Sequence, residues 1–318
     1  MRVMVTGAAG FIGSQLAERL LADGHDVVGL DAFIPYYPRR IKEANLSSAL
    51  KHPRYTFHER DLRSDSLADA LAGVDAVIHE AAMPGLPQSW TNFDLYLTCN
   101  VQATQRLLEA CKAANVGRLV YASTSSVYGQ DATGNEQDLP KPVSPYGVTK
   151  LASEELCRAY ARSFGLDVVF CRYFSIFGPR QRPDMAYHIF SRALLEGRAI
   201  QVFGDGQQSR GNTFVGDCVA GTLLVLQKGQ AGQVYNLGGG TEITLIEAIR
   251  ILERVTQREA KLEFRPSRVG DQRRTLADSS RARDELGWEP RVGIEAGLQA
   301  EVDWVRQALD RGLLDPIP

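Results

Sequence analysis

Residues 2–31 have the sequence RVMVTGAAGFIGSQLAERLLADGHDVVGLD, and this stretch decides the fold. The apolar run over residues 2–6 predicts a short buried strand, and apolar residues at every third or fourth position predict a helix over residues 11–23. A second apolar run, over residues 25–31, predicts another strand. A strand, a glycine-rich turn, a helix and a strand in this order predict the start of a parallel sheet.

The same alternation of short strands and longer helices continues to residue 177. Its strands are apolar on both sides, as expected for parallel strands that are covered on both faces. Further strands are predicted over residues 55–59, 76–79, 119–123 and 168–173, and long helices over residues 92–114 and 145–164. We therefore predict an α/β fold with a Rossmann-type doubly wound parallel sheet and a smaller α/β substrate-binding lobe.

The pattern loosens after residue 177, where prolines, glycines and arginines become frequent. The segment 213–237 has the pattern of a helix and a strand that return to the main sheet. We therefore expect a first domain of residues 1–177 with 213–237, and a smaller lobe formed by the rest of residues 178–318. The helices predicted in the C-terminal part span residues 244–256, 279–286 and 293–308.

Composition excludes several classes of function. The formal net charge is −2 without long blocks of like charge, which argues against nucleic-acid and membrane-surface partners. Five cysteines without a CxxC pair argue against a disulfide framework and a zinc ribbon, and favour a reducing compartment. The five histidines are scattered singly, so no metal site is expected. Since neither a signal-peptide pattern nor an apolar run of about 18 residues is present, we expect a soluble, cytoplasmic protein.

The glycines of the first turn predict a dinucleotide site. Gly7, Gly10 and Gly13 have the spacing GxxGxxG between a strand and a helix. The tight turn, the approach of the backbone to a pyrophosphate and the packing of helix on strand all need residues without side chains. Phe11 and Ile12 begin the helix, whose free N–H groups and partial positive charge favour phosphate.

Residues at the ends of later strands extend this predicted site. Asp31 ends the second strand, where a carboxylate can bind both ribose hydroxyls and repel a 2′-phosphate, so NAD is expected rather than NADP. The pair Asp61-Leu62 follows the third strand and Ala81-Ala82 follows the fourth, where loops meet a bound ligand.

Tyr146 and Lys150 are four residues apart in the helical segment PYGVTKLASEEL and therefore lie on one helix face. A tyrosine with a pKa of about 10 is a poor base at neutral pH. A lysine ammonium and a positive nicotinamide ring both favour the phenolate, so we expect a lowered pKa for Tyr146. The phenolate can then take a proton from a sugar hydroxyl.

The segment STSSVYG, residues 123–129, ends another predicted strand with a cluster of hydroxyls. These hydroxyls can orient or relay the proton of the same sugar oxygen.

Together these motifs resemble the extended short-chain dehydrogenase/reductase family, and within it the nucleotide-sugar epimerases and dehydratases. The resemblance covers almost the whole chain. It includes GAAGFIG, Asp31, HEAA, Asn100, YASTSSVYG, SPYGVTK, RYFSIFGP, FGDGQQSRGNTFVGD, YNLGGG and RVGDQRRTLADSSRARDELGW.

The resemblance implies a role for each matching residue. Thr124 is implied as the catalytic threonine, Tyr146 as the base and Lys150 as its partner, which also holds the nicotinamide ribose. Asn100, Ser123 and Tyr173 are implied cofactor-site residues. The implied nucleotide-binding residues are Arg210 and Arg268 at the pyrophosphate and Asp271 at the ribose, and guanidinium suits phosphate because it gives two parallel hydrogen bonds.

The residues after Thr124 indicate the reaction. Members of the resembled family open by transferring hydride from sugar carbon 4 to NAD, which leaves a 4-keto sugar. Dehydratases resemble the pattern T-D-E and decarboxylases T-S-E, whereas Thr124 is followed here by Ser125 and Ser126, without a carboxylate. Such a site returns the hydride to carbon 4. If the keto sugar first rotates to present its opposite face, carbon 4 is inverted.

The substrate is expected to be UDP-glucuronate, converted to UDP-galacturonate. The stretches RPDMA and DAFIPYYPRRIKEANL resemble UDP-glucuronic acid 4-epimerases. Arg182 is expected to meet the sugar carboxylate, Ser175 to add a hydroxyl donor, and Lys42 to reach the cofactor phosphates.

Two other functions remain open from the sequence. One is a 4-epimerase of UDP-glucose and UDP-galactose or of N-acetylhexosamines, which would not need Arg182. The other is a non-catalytic NAD-binding sensor or scaffold, although such proteins often lose the Tyr/Lys pair. The resemblance also implies a homodimer that pairs the helices 92–114 and 145–164.

Overall fold

A sheet of seven parallel strands forms the centre of the computed structural model, which describes residues 1–267 and 273–314. Every neighbouring pair in this sheet is parallel. The strands are β1 (Arg2–Thr6), β2 (Asp26–Asp31), β3 (Tyr55–Glu59), β4 (Ala76–His79), β5 (Arg118–Thr124), β6 (Val168–Tyr173) and β7 (Val234–Leu237). The predicted Rossmann-type sheet is confirmed.

The order of the strands creates a crevice at one edge of the sheet. The order is β7-β6-β5-β4-β1-β2-β3, so the chain moves outward from β1 in one direction and then continues from β4 in the other. At such a reversal the loops after the two central strands diverge, and ligands bind between them. The crevice here lies beyond the carboxyl ends of β1 and β4.

Helices cover both faces of the sheet. Apolar residues of α1 and α6 pack on one face, and those of α3 and α4 pack on the other. The α-helices of eight or more residues in the described ranges, on the sheet and beyond it, are α1 (Phe11–Ala22), α2 (Arg39–Leu46), α3 (Ala103–Ala113), α4 (Pro145–Phe164), α5 (Ala186–Glu196), α6 (Val215–Lys228), α7 (Leu245–Thr256) and α8 (Ile294–Asp310).

The helix predicted over residues 92–114 contains a π-helical segment. An α-helical turn, Phe93–Tyr96, is followed by the π-helical residues Leu97–Gln102 and then by α3. Inside the segment, the Asn100 carbonyl accepts hydrogen bonds from the hydroxyls of Thr104 and Ser153. The pattern of apolar residues does not reveal a widened turn, although such turns are frequent at functional sites.

A smaller group of elements packs beside the main sheet around a separate core. Helices α5, α7 and α8 enclose this core together with the strand Ala199–Phe203, which pairs in parallel with Lys261–Arg265. The sequence pattern missed both of these strands and α5. A four-stranded sheet joins this group to the first 177 residues through the strands Asp131–Ala132, Ser209–Gly211, Glu242–Thr244 and Arg274–Thr275.

Two segments of the chain after residue 177 pack with the main sheet and not with the smaller group of elements. As predicted, α6 and β7 return to the main sheet. Ala282, Leu286 and Trp288 also pack in the core under α1 and α6, although the sequence assigned them to the smaller lobe. Within the described ranges, no helix combines the length and apolarity needed to cross a membrane.

Replacing Gly13 by alanine is expected to destabilise the protein. An added Cβ would lie 2.2 Å from the Gly7 carbonyl oxygen, so the turn must move. The steric cost, about 1–3 kcal/mol, exceeds the ~1 kcal/mol that alanine gains over glycine in a helix. Urea denaturation measures the change in free energy of unfolding.

Gly293→Ala is the matched control because no atom lies within 4 Å of an added Cβ at this helix N-cap. We expect it to cost less than Gly13→Ala, about 0.5–1 kcal/mol, because alanine is a poorer N-cap than glycine but meets no steric contact here. Equal effects of the two substitutions would contradict the argument from close backbone contact.

Candidate active site

A cavity of about 240 Å³ lies at the crevice beyond β1 and β4. Every predicted cofactor-binding residue except Asn100 lies in its wall, including Phe11, Ile12, Leu62, Ala82 and the residues discussed below. These residues come from three loops, three helices and the ends of three strands, and the parallel sheet brings them together because all its carboxyl ends share one edge.

The glycine turn at the floor of the cavity fits a dinucleotide pyrophosphate. Gly7 has φ +69°, and a Cβ there would lie 2.9 Å from the Ala81 nitrogen. A Cβ at Gly10 would lie 3.0 Å from the Gly7 carbonyl oxygen. Gly10 is also the N-cap of α1 and places no side chain over the helix end, so the first N–H groups stay available to an anion.

Asp31 stands at the end of β2 with its carboxylate held in place. It accepts hydrogen bonds from the backbone N–H of Ala9 at 3.2 Å and of Phe33 at 2.8 Å. The Lys42 ammonium lies 3.6 Å from Asp31 Oδ1 and donates to the Ile34 carbonyl. Lys42 therefore lies beside the acid expected to bind ribose, in the wall of the same cavity as the glycine turn, and its contact with the cofactor phosphates stays a prediction.

Asn100 lies behind the cavity wall. Its side-chain oxygen accepts from the Met83 N–H at 2.6 Å, and its amide donates to the Met83 carbonyl at 3.1 Å. The same amide donates to Thr149 on α4. Asn100 thus fixes the loop after β4, which lines the cavity, and connects it to the helix that carries Tyr146.

The sequence around α4 explains how Tyr146 and Lys150 are presented. Ser144 caps the helix by accepting from the Gly147 N–H, and Pro145 occupies the first turn. Both predicted catalytic side chains therefore project from the first two turns into the cavity. Lys150 is 3% exposed, and its ammonium lies 4.3 Å from the centroid of the Tyr121 ring.

The pKa of Tyr146 differs from the sequence-based expectation. Burial raises it above the ordinary value, and the negative charge of Glu80 raises it further. A hydrogen bond with Thr124 and the nearby Arg182 guanidinium lower it, but less than burial raises it. Burial also lowers the pKa of Lys150, to about 8. The expected lowering for Tyr146 is therefore absent from the protein alone and must come from a bound cationic ligand.

The predicted hydroxyl cluster lies at the end of β5. Thr124 caps the following turn by accepting from the Ser126 N–H, and its hydroxyl lies 3.3 Å from that of Ser126. Ser125 is buried, whereas Ser126 is half-buried. The Ser123 hydroxyl donates to the buried carboxylate of Glu154 at 2.5 Å.

Arg182 extends into the cavity that contains Tyr146. Two nitrogens of its guanidinium donate to Asp184, each at 3.0 Å. Asp184 also accepts from the Tyr36 hydroxyl at 3.0 Å. The guanidinium thus stands beside the base with one carboxylate partner, in a position where a second carboxylate can bind.

A second cavity, of about 660 Å³, adjoins the first. Arg182 lines the first cavity, while the following residues, Pro183 and Asp184, line the second. Ser175 and Arg210, both predicted to bind substrate, lie in the wall of this second cavity. The predicted contacts Arg268 and Asp271 lie outside the described residues.

Sequence reasoning missed several polar residues of these walls, among them Glu80, Asp184 and Tyr36. Glu80 follows β4 within the motif HEAA, so a carboxylate directly after a buried strand was the available signal. Asp184 and Tyr36 are hydrogen-bonded although they are 148 positions apart in the sequence, and no local sequence pattern predicts this contact.

The parallel sheet, the glycine turn and the Tyr/Lys pair define a dinucleotide-dependent enzyme of the extended short-chain dehydrogenase kind. Residues 3–238 match the NAD dependent epimerase/dehydratase family, and the chain belongs to this family. The protein is therefore an NAD-dependent enzyme, which sets aside the alternative of a non-catalytic scaffold.

Comparison with known proteins gives relatives over nearly the full chain. An uncharacterized UDP-glucose epimerase of Bacillus subtilis is 43% identical, with 96% of this chain and 98% of the relative covered. A UDP-glucuronate 4-epimerase of Thermodesulfobacterium geofontis is 36% identical, with 96% and 97% covered. The crystal structure of UDP-glucuronic acid 4-epimerase from Bacillus cereus, in complex with UDP-glucuronic acid and NAD, has a TM-score of 0.94 and 41% identity, with 96% and 99% covered.

Proposed function

We propose that the protein is a 4-epimerase of a UDP-sugar and that it interconverts UDP-glucuronate and UDP-galacturonate. The observation that carries this proposal is the Arg182 guanidinium, which lines the same cavity as Tyr146 and Lys150. A cation beside the catalytic base suits a sugar that carries a carboxylate close to its reacting carbon. The crystallised relative from Bacillus cereus, named for UDP-glucuronic acid, supports the same choice.

Tyr146 is the proposed base that takes the proton from the sugar 4-hydroxyl. Thr124 donates a hydrogen bond that favours the phenolate, and Arg182 favours it through its charge. Lys150 is proposed to hold the nicotinamide ribose, since its ammonium faces the cavity. When bound in this cavity, NAD supplies the hydride acceptor and donor for carbon 4. The same phenol returns the proton after the keto sugar has rotated to present its opposite face.

The carboxylate also creates a chemical risk that Arg182 is suited to control. A 4-keto glucuronate is a β-keto acid, which loses carbon dioxide when its carboxylate bond aligns with the carbonyl π system. The fork of Arg182 can hold the carboxylate out of that alignment because it binds two oxygens in one plane. Ser175, in the adjoining wall, is proposed to add a hydroxyl donor.

The second cavity is the proposed site for the nucleotide. Arg210 lines it and supplies a guanidinium for the pyrophosphate. Arg268 and Asp271 remain predicted nucleotide contacts. We also retain the division into a NAD-binding domain and a nucleotide-sugar lobe, supported by the separate core around α5, α7 and α8.

A neutral hexose is the second candidate substrate. The relative from Bacillus subtilis, named as a UDP-glucose epimerase, supports it, as does the pairing of Arg182 with Asp184. A guanidinium already neutralised by a carboxylate need not exclude an uncharged sugar.

Incubation of the purified protein with UDP-glucuronate, without added cofactor, is expected to yield UDP-galacturonate. Proton NMR follows the sugar directly, because inversion at carbon 4 changes the coupling of its proton. Formation of UDP-xylose or a 4-keto pentose would instead identify a decarboxylase. No reaction, together with conversion of UDP-glucose to UDP-galactose, would move the assignment to the neutral hexoses.

Arg182→Ala is expected to weaken UDP-glucuronate binding and to release pentose product. Loss of a charged pair at a desolvated site costs about 2–5 kcal/mol, so the KM should rise roughly 30-fold or more. Product analysis by NMR measures the pentose fraction. Binding of UDP alone is the control, because UDP lacks the carboxylate and should bind both proteins equally well. If the variant binds and epimerises UDP-glucuronate like wild type, the clamp role is wrong.

We further propose a homodimer formed by residues 93–113 and α4. Phe93 and Leu97 are four residues apart in the helical segment that begins at Phe93, and each is 42% exposed. Trp90, in the preceding helical turn Pro87–Thr91, is 59% exposed. Val148, on the neighbouring α4, is 48% exposed. Adjacent exposed apolar side chains of this size favour a protein partner.

Sedimentation velocity is expected to give a dimer for wild type and a monomer for Leu97→Glu, because the charge would be buried in the interface. Leu139→Glu is the control, since Leu139 is 75% exposed and lies outside the two helices. A wild-type monomer at micromolar concentration, or a dimer that survives Leu97→Glu, would contradict this arrangement.

A further inference from the structure

Glu80 is a carboxylate in the wall of the first cavity that neither the proton transfer nor the sugar binding described above uses. It directly follows β4, and its neighbour Ala81 lies against the glycine turn, where a Cβ at Gly7 would be 2.9 Å from the Ala81 nitrogen. The backbone at Glu80 therefore cannot move without disturbing the turn at the floor of the cavity.

A chain of hydrogen bonds leads from Glu80 into the protein. The Tyr173 hydroxyl donates to Glu80 Oε1 at 2.5 Å and lies 2.9 Å from the Thr222 hydroxyl. Thr222 in turn lies 2.9 Å from the Cys218 carbonyl, to which it can donate. When Glu80 is ionised, both hydroxyl protons can point toward it. When Glu80 is protonated, all the protons can point the other way and end at the carbonyl, so the chain accommodates both forms.

Several titratable groups face Glu80 from the elements packed around it. Burial raises the pKa of Glu80 to about 7, while the hydrogen bond from Tyr173 and the charge of Lys150 oppose this rise. Burial lowers the pKa of Lys150 to about 8, and Glu80 opposes that fall. The other groups within electrostatic range are Tyr146 on α4, Cys171 on β6 and Cys218 on α6.

We propose that Glu80 is a positioning residue whose negative charge stabilises two cations at this end of the cavity, the Lys150 ammonium and the oxidised nicotinamide. The location of the ring follows from the catalytic role given to Tyr146 under the proposed function. The ring must reach the sugar carbon whose hydroxyl Tyr146 contacts, and Glu80 acts on Tyr146 and Lys150 from the wall of that same cavity.

An anion at this position discriminates between the two redox forms of the cofactor. Only the oxidised ring is positively charged, so Glu80 favours NAD⁺ over NADH. The preference suits an epimerase, which begins every cycle with the oxidised cofactor. The Glu80 carboxylate also offsets the positive charges of Lys150 and Arg182, which lie at the same end of the cavity.

The test is an equilibrium measurement on the protein as purified. The protein is equilibrated with mixtures of NAD⁺ and NADH, desalted rapidly, and the ratio of the bound forms is measured from their absorbance. At about pH 7.5, Glu80→Gln is expected to lower the bound ratio of NAD⁺ to NADH roughly tenfold, the effect of removing one charge from a shielded cavity. Glu80→Asp restores the charge and should recover most of the ratio.

The pH dependence of the bound NAD⁺ to NADH ratio distinguishes an effect of the Glu80 charge from an effect of its packing. In wild type the NAD⁺ preference should rise with pH through the pKa of Glu80, about 7, and should be lost below it. Glu80→Gln should lack this rise; any pH dependence that remains belongs to Lys150, whose pKa is lower in this variant because Glu80 no longer raises it. Tyr173→Phe keeps the charge but loses a hydrogen bond that favours the ionised form, so the rise should move to higher pH.

A bound ratio for Glu80→Gln that stays within about twofold of wild type at both ends of this pH range would overturn the proposal. A role in packing alone would weaken both redox forms equally and leave the ratio unchanged, which is also a negative result. Because the measurement needs no sugar, its outcome does not depend on whether UDP-glucuronate is the substrate.

Discussion

The buried ion pair between Glu154 and Arg172 holds the catalytic helix against the sheet. Two guanidinium nitrogens of Arg172 donate to the two Glu154 oxygens at 3.0 and 2.7 Å, and both residues are at most 2% exposed. Ser123, at the end of β5, donates to the same carboxylate. Because either charge left alone would be costly in the interior, the pair fixes α4 relative to β5 and β6. Glu154 is one turn beyond Lys150, so this constraint also determines where the catalytic face of α4 stands.

The sequence predicted the parts of the site whose signals are local. Gly7 and Asp31 were found because a strand, a glycine turn and a second strand follow one another within 30 residues, and Tyr146 and Lys150 because a helix places positions four apart on one face. The contact of Glu80 with Tyr173 joins residues 93 positions apart and depends on the order of β4, β5 and β6. The sheet order is itself a result of packing, so no pattern along the chain gives that contact.

Opposing charges in the cavity leave the pKa of Tyr146 under the control of burial. The Arg182 guanidinium lowers this pKa and the Glu80 carboxylate raises it, so their effects on the phenol partly cancel. Burial then dominates, and it favours the neutral phenol. A base that becomes strong only when a cationic cofactor is present is protected from acting on water or on an incomplete complex. The sequence placed Tyr146 on the face of a helix but could not weigh these opposing effects, since each depends on burial and distance.

The loop that carries Arg182 is built onto the helix that binds the cofactor. Arg180 donates to Glu18 and Ser14 of α1, and Gln15 of α1 donates to the Pro179 carbonyl. Arg180 has φ +71°, a conformation that costs a residue with a side chain about 1 kcal/mol or more, so the contacts with α1 offset local strain. Two residues later, Arg182 enters the cavity beside Tyr146. Arg182, which we propose distinguishes a charged sugar from a neutral one, is therefore positioned by the first helix of the fold, whose N-terminus lines the same cavity. A shift of α1 would therefore displace both the glycine turn of the cofactor site and the loop that carries Arg182. Correct binding of the cofactor is then a condition for recognition of the sugar.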